Sequence, residues 1–363
     1  ARFFYESDLK TPLAAKIEKL KTIVFQAKLG TVYDKSERVS RLAVYMAAQF
    51  GGDIPSCKRA ASLAKCDLLT DMVGEFADLQ GLMGYYYALK DGESNEVASA
   101  IVEQYLPRYA GDTLPKTLTG NIVSLAEKID TIAGLFAIKQ PPTGSKDPFA
   151  IRRAALGVLR ILVENRLELD ILRVLGFALE GFTNLDVEEG TDQVIFEFLL
   201  DRFRAWYQDK DIPIEVFQSV RALKPRSPFD FDKRISAVHH FGSLEQAQAL
   251  ASANKRVSNL VAKSGLKDSI NKVDPSLFDS EAEKVLYSLV ESKEYELAPL
   301  IGSHDYSGAL VSLSTLREPV DNFFNDVMVM SDIEAVKVNR IMLLIRLRDL
   351  FLQVADVSIL HSN

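Results

Sequence analysis

Histidine is scarce in this 363-residue chain: there are four, at positions 239, 240, 304 and 361, and none earlier. Imidazole-dependent metal binding and most His acid–base chemistry are thereby removed from the first two thirds. Cysteine is scarcer still, with Cys57 and Cys66 alone. Two thiols nine residues apart, without close Cys pairs or histidines, form neither a disulfide framework nor a zinc site. Both are expected to be inert buried thiols in a reducing cytoplasm. A long uncharged run is missing as well. The most apolar stretch, 154–172, is interrupted by Arg160, Glu164, Arg166, Glu168 and Asp170. A bilayer span needs about 20 largely uncharged residues, so no membrane helix is expected. A basic-then-apolar signal layout is absent from the first residues, which start on Ala1. Ala1–Tyr5 reads as an alternating segment with no turn or cap before it, and a fragment of a longer chain is expected.

What is present is ordinary globular material. Forty-three Lys+Arg stand against 50 Asp+Glu, a formal net charge of −7, and 47% of residues are hydrophobic, which excludes a disordered chain. The length suggests two or three domains at roughly 100–200 residues each. Apolar residues recur at helical spacing nearly everywhere. Val39, Leu42, Ala43, Met46 and Phe50 form one face, and Gly51-Gly52 stops that helix. Val194, Ile195, Phe198 and Leu199 mark another face, continued to Trp206. Ile341, Leu344, Leu347, Phe351 and Val354 mark a third, with Arg340, Arg346 and Asp349 elsewhere on the helix surface. Asp279 or Ser280 is the expected N-cap of a helix over 281–292. The fold class is all-α. Breakers cluster at 140–145, ahead of a helix expected to use Asp147 as cap and Pro148 in its first turn. They cluster again at 224–230, the best domain boundary.

The motifs argue mostly against catalysis. Lys28-Leu29-Gly30-Thr31 has one glycine and no Gly-Lys-Ser/Thr ending, so it is a turn and a helix start rather than a triphosphate loop. His239-His240 has no nucleophile elbow near it and reads as surface or capping. Three consecutive tyrosines, Tyr85 to Tyr87, point about 100° apart on a helix; at least one is expected in the core with its hydroxyl at the rim. Lys65-Cys66-Asp67 and Asp130, behind an amphipathic helix at 37–50, resemble the ligand layout of the HD superfamily of metal-dependent phosphohydrolases. No histidine is available to complete that ligand set, so caps or ion pairs are the expected roles of Asp67 and Asp130.

Charge placement matters more than its sum. Lys139, Lys146, Arg152, Arg153, Arg160 and Arg166 surround the 141–148 loop and the helix after it. Arg221, Lys224, Arg226, Lys233 and Arg234 mark the boundary, and Lys255, Arg256, Lys263 and Lys267 follow with no acid between them. Local basic stripes on an acidic chain suit one shaped polyanion such as a folded RNA, while solvated helix faces are the ordinary alternative.

Several segments carry a family resemblance. They include Ala1-Arg2-Phe3-Phe4-Tyr5, Leu29-Gly30-Thr31-Val32-Tyr33-Asp34-Lys35, Lys65-Cys66-Asp67-Leu68 and Gln80-Gly81-Leu82-Met83-Gly84. The most specific is the stretch from Pro142-Thr143-Gly144-Ser145-Lys146-Asp147-Pro148 through Arg152-Arg153 to Gly157. In order along the chain, these resemble the β subunits of bacterial glycyl-tRNA synthetases, over about the C-terminal half. That resemblance implies an HD-like helical domain without metal chemistry at 1–165, a helical connector at 166–230 and a helical-bundle anticodon-binding domain at 231–363. Residues 253–260, 316–324, 327–330 and 339–344 carry the likeness of this last part to the anticodon-binding domain of arginyl-tRNA synthetases. Pro319, inside an expected helix there, predicts a kink or a helix start. The resemblance further implies tRNA(Gly) and an α subunit as partners. ATP and magnesium would be used in that α subunit, with no cofactor and no catalytic residue in this chain. The expected tRNA contacts are Lys146, Arg152, Arg153, Lys255, Arg256, Lys263, Arg340 and Arg346. A metal-dependent phosphohydrolase and a protein-binding helical scaffold are the competing readings.

Overall fold

A computed structural model describes residues 2–144, 146–264 and 272–360. The helices gather into two compact units, Ala1–Trp206 with Arg226–Phe229, and Tyr207–Pro225 with Asp230–Asn363. The chain crosses between them inside one helix near 206 and again in the proline-rich stretch at 225–230.

The first unit contains α1 (Arg2–Asp8), α2 (Val32–Phe50), α3 (Ile54–Leu63), α4 (Asp71–Glu75), α5 (Leu82–Lys90), α6 (Asn95–Glu103) and α7 (Leu118–Ala137). It continues through α8 (Ile151–Glu164), α9 (Ile171–Leu179) and most of α10 (Thr191–Gln208). A short antiparallel hairpin, β1 (Val24–Gln26) and β2 (Gly30–Thr31), leads into α2. The KLGT segment is thus a turn and a helix start. Thr31 and Asp34 form a reciprocal capping box, and the Asp34 carboxylate lies where a side chain on Gly30 would have to go. Gly51, in the left-handed region at φ 67°, closes α2 as expected. Helix α7 is buried on nearly every face, which makes it the axis of this unit.

The second unit is built from α11 (Ile214–Arg221), α12 (Pro228–Gly242), α13 (Ala247–Ser264), α14 (Glu281–Gly302), α15 (Tyr306–Ser314), α16 (Arg317–Asp326) and α17 (Glu334–Leu352). Its axis is α17, buried continuously from Asn339 to Ile345. Ser280, not Asp279, caps α14, through a box with Glu283, and the helix runs on past Ser292 to Gly302. Pro319 lies in the first turn of α16, where its missing N–H leaves no hydrogen bond unmade, so it marks a start and not a kink.

Local reading of the sequence needs correction in three places. Residues 2–8 are helical, not alternating, because tertiary contacts hold one side of the segment: Phe4 meets Phe76 edge-on, and Tyr5 stacks on Tyr87 with centroids 5.6 Å apart. Asp147 does cap α8, its carboxylate accepting from the Ile151 and Arg152 amides at 2.9 and 3.0 Å. Pro148, however, lies in the turn before the helix, which begins only after Ala150 in the left-handed region. Val194 is exposed, while Ile195 and Leu199 on the same expected face are buried.

Tyr87 is the core member of the tyrosine run, but its hydroxyl does not reach a rim. It donates at 2.7 Å to the buried carboxylate of Asp8, which also accepts the Asp71 and Met72 amides. Cys57 and Cys66 are both free and buried, and burial beside the Asp67 carboxylate pushes the Cys66 thiol up to about 12. His239 and His240 are exposed in the last turn of α12.

Candidate nucleic-acid interface

In the second unit, α13 separates two kinds of residue by its own periodicity. Leu250, Asn254, Val257 and Val261 are buried on one side. Arg256, Asn259 and Lys263 form an exposed stripe on another, with Lys255 beside it. The Arg256 guanidinium lies 4.1 Å from the ring centroid of Phe324 on α16. That contact holds the planar cation against an aromatic face without neutralising it. Lys255, Arg256 and Lys263 make no ion pair among the described residues. Lys267, the fourth member of the expected stripe, lies outside the described residues.

Two of the expected contacts in this unit are positioned otherwise. Arg340 is buried, with 5% of its surface accessible. Its Nε donates to Glu283 at 2.8 Å, a second nitrogen reaches Asp279, and a third donates to the Met328 carbonyl at 3.0 Å. Glu283 is fully buried and doubles as the capping-box residue of α14, so Arg340 is the counter-charge of a helix start. The arginine expected on the surface of α17 is interior because that helix is the axis of its unit. Burial opposes ionisation of Glu283, but the bonds from Arg340 and Asp279 together outweigh it and hold the carboxyl below its usual range. Arg346 is half-buried, forked onto Glu294 at 3.0 and 2.7 Å and lying over the Tyr287 ring. Two of its three nitrogens are already engaged by Glu294, and Arg340 and Arg346 leave the candidate contact set.

In the first unit, Lys146 and Arg153 are exposed and Arg152 is half-exposed, at the start of α8. The fold brings a second segment to them. Arg153 donates at 3.3 Å to the carbonyl of Arg108, whose neighbour Tyr109 is 57% exposed. Arg108 is held by Asp112 at 2.9 Å with most of its side chain in solvent. Sequence reasoning missed Arg108 and Tyr109. The available signal was a basic–aromatic pair directly after Pro107, too short to stand out until α8 is placed beside it.

The remnant carboxylates of the HD-like layout are both structural. Asp130 on α7 receives Arg38 Nε at 2.7 Å and Lys35 Nζ at 3.1 Å, both from α2. Lys35 and Lys65 flank Glu127 at 3.5 and 3.4 Å. The chain's own cations thus occupy the Asp130 and Glu127 carboxylates. Burial works against the Glu127 charge, but Lys35 and Lys65 outweigh it and bring the carboxyl down to about 2. Lys128, buried and pushed by the neighbouring Lys65 and Lys35 charges, is drawn down to about 7. Asp67 accepts the amides of Gly81 and Gly84, and burial nonetheless raises its pKa. Among the described residues no three His, Cys, Asp or Glu side chains gather as a metal-holding group.

Residues 250–357 match the DALR anticodon binding domain model. The chain is 54% identical over its whole length to the glycine–tRNA ligase beta subunit of Marinobacter nauticus. It is 52% identical over 360 residues to that of Pseudomonas aeruginosa and 52% identical over 366 residues to that of Pseudoalteromonas translucida, covering 99% and 100% of this chain. In each case it spans about half the relative, 52% of its length. Residues 1–222 match the glycyl-tRNA synthetase beta subunit model, which takes in well over half of the chain, and the chain belongs to that family.

Proposed function

We propose that this chain is the tRNA-docking part of a two-subunit glycine–tRNA ligase, gripping tRNA(Gly) while glycine is activated with ATP and magnesium on a separate α subunit. The observation that carries the reading is the exposed stripe of Lys255, Arg256 and Lys263 on α13, within the residues that match an anticodon-binding domain. Unpaired anticodon bases offer edges and π-faces, and phosphates flank them. A strip combining free ammonium groups with a guanidinium held over Phe324 addresses both. Lys146, Arg152 and Arg153, joined by Arg108 and Tyr109, form a second basic surface for the body of the same RNA. The sequence carries no Gly-Lys-Ser/Thr phosphate loop, and among the described residues no three His, Cys, Asp or Glu side chains gather for a metal ion, so the reading assigns the chemistry to the partner.

The test is titration of the chain with tRNA(Gly) and with an anticodon-altered tRNA at several salt concentrations. Lys255→Ala and Lys263→Ala should weaken both complexes alike, whereas loss of a base-reading contact at Arg256 should cost about 1–3 kcal/mol on the cognate anticodon only. Unchanged affinity and salt slope in all three variants would sink the reading.

A further inference from the structure

A groove of about 710 Å³ opens in the first unit between α2, α3 and α9, lined by none of the candidate contacts named above. Its wall carries two aromatic rings, Tyr45 from α2 and Phe177 from α9, stacked with centroids 4.1 Å apart and planes 13° from parallel. Arg41, one turn before Tyr45, lies 4.0 Å from the Phe177 centroid and is anchored to Glu180 at 3.0 Å. Lys58 from α3 and Arg173 from α9 are exposed, line the same groove and make no ion pair among the described residues. Glu37 and Gln49 complete the polar rim.

We infer that this groove binds an unpaired stretch of an RNA strand, with a base on the face of Tyr45 that Phe177 does not cover and its flanking phosphates on Lys58 and Arg173. Arg41 and Tyr45 sandwich Phe177, which fixes the Tyr45 ring and leaves its outer face for a nucleobase, which stacks whatever its identity. The two free cations come from separate helices, an arrangement suited to phosphates spaced along a strand. A triphosphate would instead call for a run of backbone amides, and the groove lining contains no glycine. The volume falls within the roughly 300–1,000 Å³ of small-ligand sites, enough for a splayed base and its sugar. Charge complementarity selects the occupant: two unpaired cations on a chain of net charge −7 are a local attraction for a polyanion. The groove and α13 belong to different units, so this inference and the anticodon reading can fail separately.

The experiment uses the full 363-residue chain and a fluorescein-labelled octauridylate carrying one 4-thiouridine. Fluorescence anisotropy at several salt concentrations gives affinity and salt slope, and photocrosslinking followed by peptide mapping gives location. The expected results are crosslinks on the peptides containing Tyr45 or Phe177, and a salt slope reduced by about 1.4 in Lys58→Ala/Arg173→Ala, at about 0.7 per single-strand phosphate. Lys58→Glu/Arg173→Glu, at exposed positions that leave the core intact, should weaken binding at least tenfold. Free AMP should compete only weakly. The triple variant Lys255→Ala/Arg256→Ala/Lys263→Ala should keep the groove crosslinks while losing affinity for tRNA(Gly). Binding unchanged by the charge reversal, crosslinks confined to other peptides, or full displacement by AMP at equal nucleotide concentration would each overturn the inference. If tRNA(Gly) binding ignores the triple variant while the groove crosslinks persist, the anticodon reading falls and this one stands.

Discussion

Lys35 and Arg38 in the first unit and Lys255 and Arg256 in the second are the same residue types on amphipathic helices of similar length. Their surroundings set them to different work. On α2 the two cations point inward and close on Asp130, with Lys65 and Glu127 completing a buried network. On α13 they point outward and close on no acid. A buried cation must be paired, because desolvating it alone costs several kcal/mol, and once paired it has little attraction left for a ligand. An exposed, unpaired one contributes almost nothing to stability and keeps its full charge for a polyanion. Arg340 shows the same division inside one unit: it lies in a segment that resembles an anticodon-binding domain, yet it belongs with Lys35 and not with Arg256.

The comparison breaks most visibly if Arg340 is truncated. Arg340→Met leaves Glu283 charged, buried and unpaired, and should lower unfolding stability by about 3–5 kcal/mol, read from urea melts. Arg340→Met/Glu283→Leu should recover most of that loss; a single variant as stable as the parent would remove Arg340 from the interior set.

Acid should act next, through the first unit. The Glu127 carboxyl lies at about 2 when folded and 4.5 as its ordinary value. Its folded pKa is depressed, so its contribution is complete above about 4.5 and is lost as pH falls through about 2. Melts between pH 6 and pH 2.5 should steepen downward below 4.5, and Glu127→Gln should flatten part of that slope. An identical pH profile in the variant would mean that Lys35 and Lys65 do not hold the charge.

On α13 the expected effect is smaller and falls on binding alone. Each of Lys255→Ala and Lys263→Ala should leave the melting curve within about 0.5 kcal/mol of the parent and reduce the magnitude of the salt slope for tRNA(Gly) by about one unit. A clear loss of stability in either variant would show that these lysines also have a structural partner.

The smallest change in binding belongs to Arg346, which marks the dividing line. Its pair with Glu294 is partly exposed, so Arg346→Ala should cost about 1 kcal/mol or less and leave the salt slope for tRNA untouched. A slope change there would return Arg346 to the contact set.

Much of the helical framework could be read locally. The apolar spacing of 39–50 with Gly51 behind it, the Asp147 cap and the Ser/Glu box ahead of 281 depend on residues within a turn or two. Arg2–Asp8 could not be read, because its helix is fixed by Phe76, Tyr87 and the 71–72 amides far along the chain. The candidate site divides in the same way. Lys255, Arg256 and Lys263 fall opposite a clear apolar stripe, so their exposure follows from periodicity alone. Arg340 and Arg346 also fall off an apolar stripe, but neighbouring helices pack against α17 there, burying Arg340 on Glu283 and holding the half-buried Arg346 on Glu294.

The sequence by itself determined the helical class, the family and the lack of any histidine before residue 239, since each depends on residue type and on spacing within short segments. Tertiary structure alone decided which cations are free. Ion pairs such as Lys35–Asp130 and Arg340–Glu283 join residues 95 and 57 positions apart. Their strength depends on burial and on a few ångströms of separation, neither of which helical periodicity encodes.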